Sequence, residues 1–208
     1  MEYPMKAHLL SLTMTFIVLL VPGLSVGAES DGFKEFRKTK DGITVSRKAG
    51  PTKGFNITRF DATSPVAPAA LCDSLWRSFF KHQAPVAERK FIRKEADELV
   101  FHDKVKTPVV SDRDYIMKIT RKASSDGCVI DFHTANEMGP PPDEGYVRMP
   151  LVEGHWKVSG AADGTSVVRY QVYSEPGGSV PALIIKEPQV KEALSDFRRS
   201  LKEALGAR

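Results

Sequence analysis

The apolar positions of this chain change spacing once, near its end. From Thr44 to Tyr173 they alternate with polar ones over short runs, whereas from Val180 to Leu205 they recur every three or four residues. Alternation sends successive side chains to opposite faces of a strand, and the longer spacing lines one side of a helix. In the final stretch Leu183, Val190, Leu194, Phe197, Leu201 and Leu205 share a face, while Lys191, Glu192, Asp196, Arg199, Lys202 and Glu203 occupy the rest. The sequence offers one partner for that stripe, the sheet formed by the preceding strands. The prediction is an α+β domain in which a long C-terminal helix lies on the concave face of an antiparallel sheet. Such a pair makes either a solid core or the lid of an elongated apolar pocket.

Within the alternating region, Leu99, Phe101, Asp103 and Val105 share one parity, as do Tyr115, Met117 and Ile119, then Cys128, Ile130 and Phe132, then Val168, Tyr170 and Val172. One helix interrupts the strands. Ser64 and Pro65 read as its capped start, Leu71, Leu75, Trp76 and Phe79 as its apolar stripe, and Pro85 as its stop. Residues 29–42 are charged, with Phe33 and Phe36 three apart, and predict one or two helical turns on the domain edge. The three consecutive prolines Pro140, Pro141 and Pro142 exclude a central strand and predict an ordered loop. Pro188 is expected to bend the last helix or break it in two.

The first residues follow another logic. Lys6, an apolar run from Leu9 to Pro22 and the small residues Val26, Gly27 and Ala28 have the form of a signal peptide, residues 1–28, cut before Glu29. The run is shorter than the roughly 20 residues a membrane span needs. The protein is therefore expected to be exported, to the periplasm in a bacterium and to the exterior otherwise, with residues 29–208 as one domain. Its formal charge of +4 is spread among interleaved acids and bases. That pattern argues against nucleic acid as a partner and allows transient contact with an anionic membrane surface. Export also allows a disulfide between Cys72 and Cys128, two buried thiols being the alternative.

Few residues suggest chemistry. His82, His102, His133 and His155 are scattered, no HExxH, CxxC or GxSxG occurs, and Gly177-Gly178 lacks the lysine of a phosphate loop. No metal, cofactor or catalytic residue is expected. Asp112 and Asp114 share one side of a strand, at a solvated start that keeps both ionised, and Arg113 points to the other side. Turned inward, Arg113 needs a carboxylate or several carbonyls, as a structural tie or as a polar anchor at the end of a pocket. Arg148 has the same two readings.

Three segments in their order, "VSDRDYIMKITR", "YVRMPLVEGHWKV" and "YQVYSEPGGSVPALIIKEPQVKEALSDFRRSL", resemble the START, or steroidogenic-acute-regulatory-related lipid-transfer, domain. The resemblance rests on Arg113-Asp114 followed by an aromatic, Arg148 on a later strand, a Gly154-to-Trp156 turn, and Pro176-Gly177-Gly178 leading through Pro181 into the terminal helix. It implies a helix-grip fold, a curved antiparallel sheet wrapped round the long C-terminal helix, with a hydrophobic tunnel between them that holds one lipid-like molecule. On that basis Phe101, Arg113, Tyr115, Met117, Phe132, Arg148, Trp156, Tyr170 and Val172 of the sheet, with Ile184, Leu194 and Phe197 of the helix, are the candidate ligand-binding residues. Residues 180–186 are the expected lid and the loop from Glu137 to Glu144 a second rim element. Sterol-binding members carry an arginine on the strand that begins at Arg113, and the corresponding position here is Ile119. Related helix-grip proteins include polyketide cyclases and aromatases, so an enzyme using the same pocket is the alternative; it requires His102, His133, His155 or a carboxylate to face inward. A closed core that binds only partner proteins is the third reading.

Overall fold

The period-two runs form strands β1 (Lys34–Lys38), β2 (Thr44–Ala49), β3 (Asn56–Ser64), β4 (Val86–Lys94), β5 (Glu98–Val105), β6 (Asp112–Ser124), β7 (Gly127–Thr134), β8 (Tyr146–Arg148), β9 (Leu151–Gly160) and β10 (Ser166–Glu175). Helix α1 (Pro68–Ser78) follows β3, and α2 (Ala182–Gly206) ends the chain. This computed structural model describes residues 31–81, 85–107, 110–178, 180 and 182–206, without the side chains of 182–186. The expected leader lies outside the described residues, and so, in the expected lid, do Pro181 and the side chains of residues 182–186, Ile184 among them.

The strands form one sheet in the order β1-β2-β3-β10-β9-β7-β6-β5-β4, antiparallel along that path, with β8 added in parallel to β6. The pairing of β3 with β10, Phe60 opposite Tyr170, joins early and late parts of the chain. The sheet stays unclosed and curves round α2, giving a helix-grip fold. Val190, Leu194 and Phe197 of α2 are buried on its concave side. The Phe197 ring lies 5.8 Å from Phe60 and 5.4 Å from Trp156. Helix α1 contributes Leu71, Leu75 and Trp76 to the same core and is tied to β7 by a disulfide between Cys72 and Cys128.

Four local expectations are corrected. The segment around Phe33 and Phe36 is strand β1, because edge pairing with β2 satisfies its backbone and cations cover its rings. Arg47 lies 3.7 Å from the Phe36 centroid and Arg59 4.2 Å from that of Phe33. Ser64 ends β3 opposite Ser166, its Oγ accepting from the Val66 N–H at 3.3 Å, so α1 begins only at Pro68. Pro188 does not break the last helix in two, since it lies inside a single 25-residue helix. Gly154 lies within β9 opposite Val172, not in a turn.

Candidate functional site

Between the concave sheet face and α2 lies a cavity of about 560 Å³. It runs beside α2 from Pro188 to Glu203, about 22 Å of helix at 1.5 Å per residue. Shared parity brings Phe101 from β5, Tyr115, Met117 and Ile119 from β6, Phe132 from β7, Trp156 from β9, and Tyr170 and Val172 from β10 onto its floor. The aromatic rings pack as a layer, Trp156 on Tyr170 at 4.4 Å and Phe132 beside Tyr170 at 6.0 Å. Arg113 lines the cavity as well. Eight of the sheet residues named from the sequence therefore share one wall with it or form it.

The remaining candidates sit elsewhere. Leu194 and Phe197 are buried in the packed core of α2 and do not line the cavity. Arg148 lies on the opposite face of the sheet, where its Nε and Nη2 donate to both oxygens of Asp114 at 2.9 and 2.8 Å. His102 Nε2 completes that cluster 2.8 Å from Asp114 Oδ2. Asp114 is fully buried, so Arg148 and His102 keep it ionised instead of solvent; Asp112 is only half-buried and pairs with Lys106. Burial works against the Asp114 charge, but these two partners outweigh it and hold the carboxyl below its ordinary value. The proline-rich loop is part of this outer structure. Pro140 carbonyl accepts from Arg148 at 2.9 Å, and none of residues 137–144 reaches the cavity, because buried His102, Asp114 and Ile116 on the outer face need a cover.

Arg113 takes the carbonyl solution. Its guanidinium donates to the Ser111 carbonyl, to that of Pro176 at 3.3 Å and to that of Gly177 at 3.5 Å. Gly177 and Gly178 have φ of 70° and 65°, which turn the chain so that these carbonyls face the arginine.

Sequence reasoning missed a polar cluster on the same wall. Arg89 of β4 forks onto Asp103 of β5 at 2.7 and 2.6 Å and donates to the carbonyls of Phe79 and Lys81 at 2.7 and 2.9 Å. Its guanidinium also lies 3.8 Å from the Phe101 centroid. The Tyr115 hydroxyl donates to Asp103 Oδ2 at 3.1 Å; burial, then the Asp103 charge, push its pKa well up, so it stays a neutral donor. The signal was present in Asp103, which shares the parity of Phe101 and Val105 and had to bring a cation inside with it.

None of the described histidines lines the cavity, and His82 lies outside the described residues. Desolvation lowers the pKa of His155, which sits beside Trp156 on the outward parity of β9. Carboxylates do line it, on α2: Glu192, Asp196 and Glu203. Lost hydration on the cavity side raises the pKa of Glu192, with the Asp196 charge adding to it and Arg199 opposing, although Glu192 remains solvent-exposed in part. Among the described residues no group of three or more His, Cys, Asp or Glu is placed to hold a metal ion, and no helix is long and apolar enough to cross a membrane.

The geometry has solved counterparts. A STAR-related lipid transfer protein of Xanthomonas axonopodis aligns over 84% of this chain and 99% of its own, with a TM-score of 0.71 at 20% identity. Human STARD10 aligns over 84% and 73%, TM-score 0.69 at 16% identity, and human StAR-related lipid transfer protein 5 over 86% and 89%, TM-score 0.67 at 17% identity. The fold is START-like. In sequence the chain is 28% identical over 190 residues to the uncharacterized protein PA1579 of Pseudomonas aeruginosa, covering 90% of this chain and 94% of that one. No protein-family model matches the chain.

Proposed function

We propose that the protein is an exported carrier that encloses one lipid or other hydrophobic molecule and transfers it by transient contact with membrane surfaces. The observation that carries this reading is the cavity of about 560 Å³ with an aromatic and aliphatic floor, within the range in which proteins enclose small ligands. Each methylene buried there contributes about 0.8 kcal/mol, so ten supply about 8 kcal/mol against association costs of several kcal/mol. Two counterparts in fold whose names include lipid transfer, that of Xanthomonas axonopodis and human StAR-related lipid transfer protein 5, agree with it. Export is supported by the buried Cys72–Cys128 disulfide, a bond that persists in oxidising compartments.

The inward carboxylates favour a second reading, an enzyme in which Glu192 acts as general acid or base. Against it, Glu192 has no hydrogen-bonding partner among the described residues to orient it, and no described histidine joins it. Native mass spectrometry with organic extraction separates the readings, using protein expressed from the complete 208-residue sequence and recovered from the exported fraction. One extractable lipid per protein, returned unchanged after incubation, is the expected result. A ligand recovered as a converted product supports the enzyme, and a cavity that takes up no hydrophobic probe sinks both.

A further inference from the structure

The charges on the cavity wall are nearly all matched. Arg89 is held by Asp103, Arg199 by Asp196, Arg47 by Glu187 and Lys106 by Asp112. Lys81 is exposed to solvent. Arg113 differs from all of these: it is 3% exposed, lines the cavity, and has backbone carbonyls as its only hydrogen-bond partners among the described residues. Asp114 points to the other face of β6, where Arg148 engages it, and Asp112, although within electrostatic reach of Arg113, is hydrogen-bonded to Lys106 and the Thr107 N–H instead. A guanidinium carries five N–H donors, and the three carbonyls use three. A buried cation with donors to spare and no carboxylate hydrogen-bonded to it is an arrangement that an anion in the cavity would improve.

Position adds a direction. Arg113 lies at the start of β6, against the Pro176-Gly177 turn, and Pro176, Pro188 and Gln189 line the same cavity. From there the floor continues along β6 through Tyr115, Met117 and Ile119, whose side chains share the Arg113 parity. A polar head at Arg113 would leave an attached chain lying over rings and aliphatic groups.

Resting on the carrier reading, we propose that Arg113 is the ligand's anchor and that the ligand is an amphiphile with an anionic head, a carboxylate or a phosphate, on an apolar tail. A purely structural role, tying β6 to the 176–178 turn, predicts no preference among head groups. Four probes of equal chain length decide between them: hexadecanoic acid, hexadecyl phosphate, hexadecanol and hexadecyltrimethylammonium. Their affinities are measured on the protein expressed from its full sequence and freed of endogenous ligand, with all concentrations below micelle formation.

The anchor predicts that the acid, the phosphate or both bind at least tenfold more tightly than the alcohol, as charge-assisted hydrogen bonds are stronger than neutral ones. Which of the two binds better tells a fatty-acid-like head from a phospholipid-like one. In Arg113→Met the acid-to-alcohol and phosphate-to-alcohol affinity ratios collapse toward one; Arg113→Lys, which keeps the charge without the fork, retains part of the preference. Should the methionine variant fail to fold, the wild-type ratios and the lysine variant still decide. Equal binding of acid, phosphate and alcohol, tighter binding of the ammonium probe, or an undiminished preference in Arg113→Met overturns the anchor while leaving the carrier reading intact. Failure of all four probes to bind overturns both.

Discussion

Removing the Cys72–Cys128 bridge should lower stability by an amount the chain connectivity fixes. The bond joins α1 to β7 across a sequence separation of 56 residues. In the chain-entropy treatment, closing a loop of that length in the unfolded state is worth about 4 kcal/mol. Unfolding the compact unit Gly32–Arg208 at about 2.1 cal/mol/K per residue gives an entropy near 0.37 kcal/mol/K, so the loss corresponds to a fall in Tm of about 11 °C. Both sulfurs are in the core, Cys72 5% and Cys128 3% exposed, so they should resist reductant in the native state. The comparison is therefore between wild type and the Cys72→Ala/Cys128→Ala double variant, by calorimetry, with thiol counting under denaturing conditions to establish the bond in the wild type. Two free thiols in protein from an oxidising compartment, or melts that agree within 3 °C or so, would refute the reasoning.

Other consequences follow from the outer network and from β9. Asp114→Asn leaves Arg148 and His102 without their buried counter-charge and should cost about 3–5 kcal/mol, read by urea unfolding, while the ligand affinity of the folded protein stays unchanged because Asp114 faces away from the cavity. For the wild type, the Asp114 carboxyl is depressed below 3.8, so its contribution is complete above that value and is lost as pH falls through the lower folded-state pKa. Acid titration should accordingly show a steep loss of stability below about pH 4 that Asp114→Asn flattens; parallel profiles would show that the pair carries no linkage. Gly154→Ala would place a Cβ 2.0 Å from the Gln171 carbonyl oxygen and 2.5 Å from the Phe132 ring. Displacing β10 should cost about 1–3 kcal/mol, and a neutral result in thermal melts would contradict the close approach.

How much of this was legible in the sequence depends on whether the information was local. Parity together with the START resemblance placed Phe101, Tyr115, Met117, Phe132, Trp156, Tyr170 and Val172 on one face, because a period of two leaves one choice per strand and the buried side is the apolar one. The heptad-like stripe of α2 likewise identified Val190, Leu194 and Phe197 as buried. Spacing could not say which of the buried residues pack and which border space, so Leu194 and Phe197 were placed on the wall although they fill the core. Pairings between distant strands were hidden as well. Arg89 with Asp103, and Arg148 with Asp114, depend on register between separate segments. Strand β1 was misread because two aromatics three apart fit a helix, and what stabilises them as a strand is supplied by Arg47 and Arg59.

The cavity itself raises a question of encoding, since an apolar floor facing a helix would ordinarily close. The α2 side of the space is polar: Gln189, Glu192, Asp196, Arg199 and Glu203 follow one another at helical spacing along it, with Ala193 between them. Pressing that flank onto Tyr170 and Met117 would strip water from charged groups without giving all of them partners, at a cost of several kcal/mol. The packed contact of α2 centres on Leu194, Phe197 and Ala204, with Val190 at the border between core and cavity. On this argument the charged residues hold the cavity open, and replacing them with apolar ones should close it. Glu192→Leu/Asp196→Leu adds two side chains able to bury against the floor, each worth about 1.5–3 kcal/mol. The expected result is a higher Tm by about 8–16 °C together with lost ligand in native mass spectrometry, Arg199 remaining partly in solvent at 39% exposure. Tighter retention of a hydrophobic probe in the double variant would instead mean that the space is fixed by the backbone, and that the carboxylates only tune what enters it.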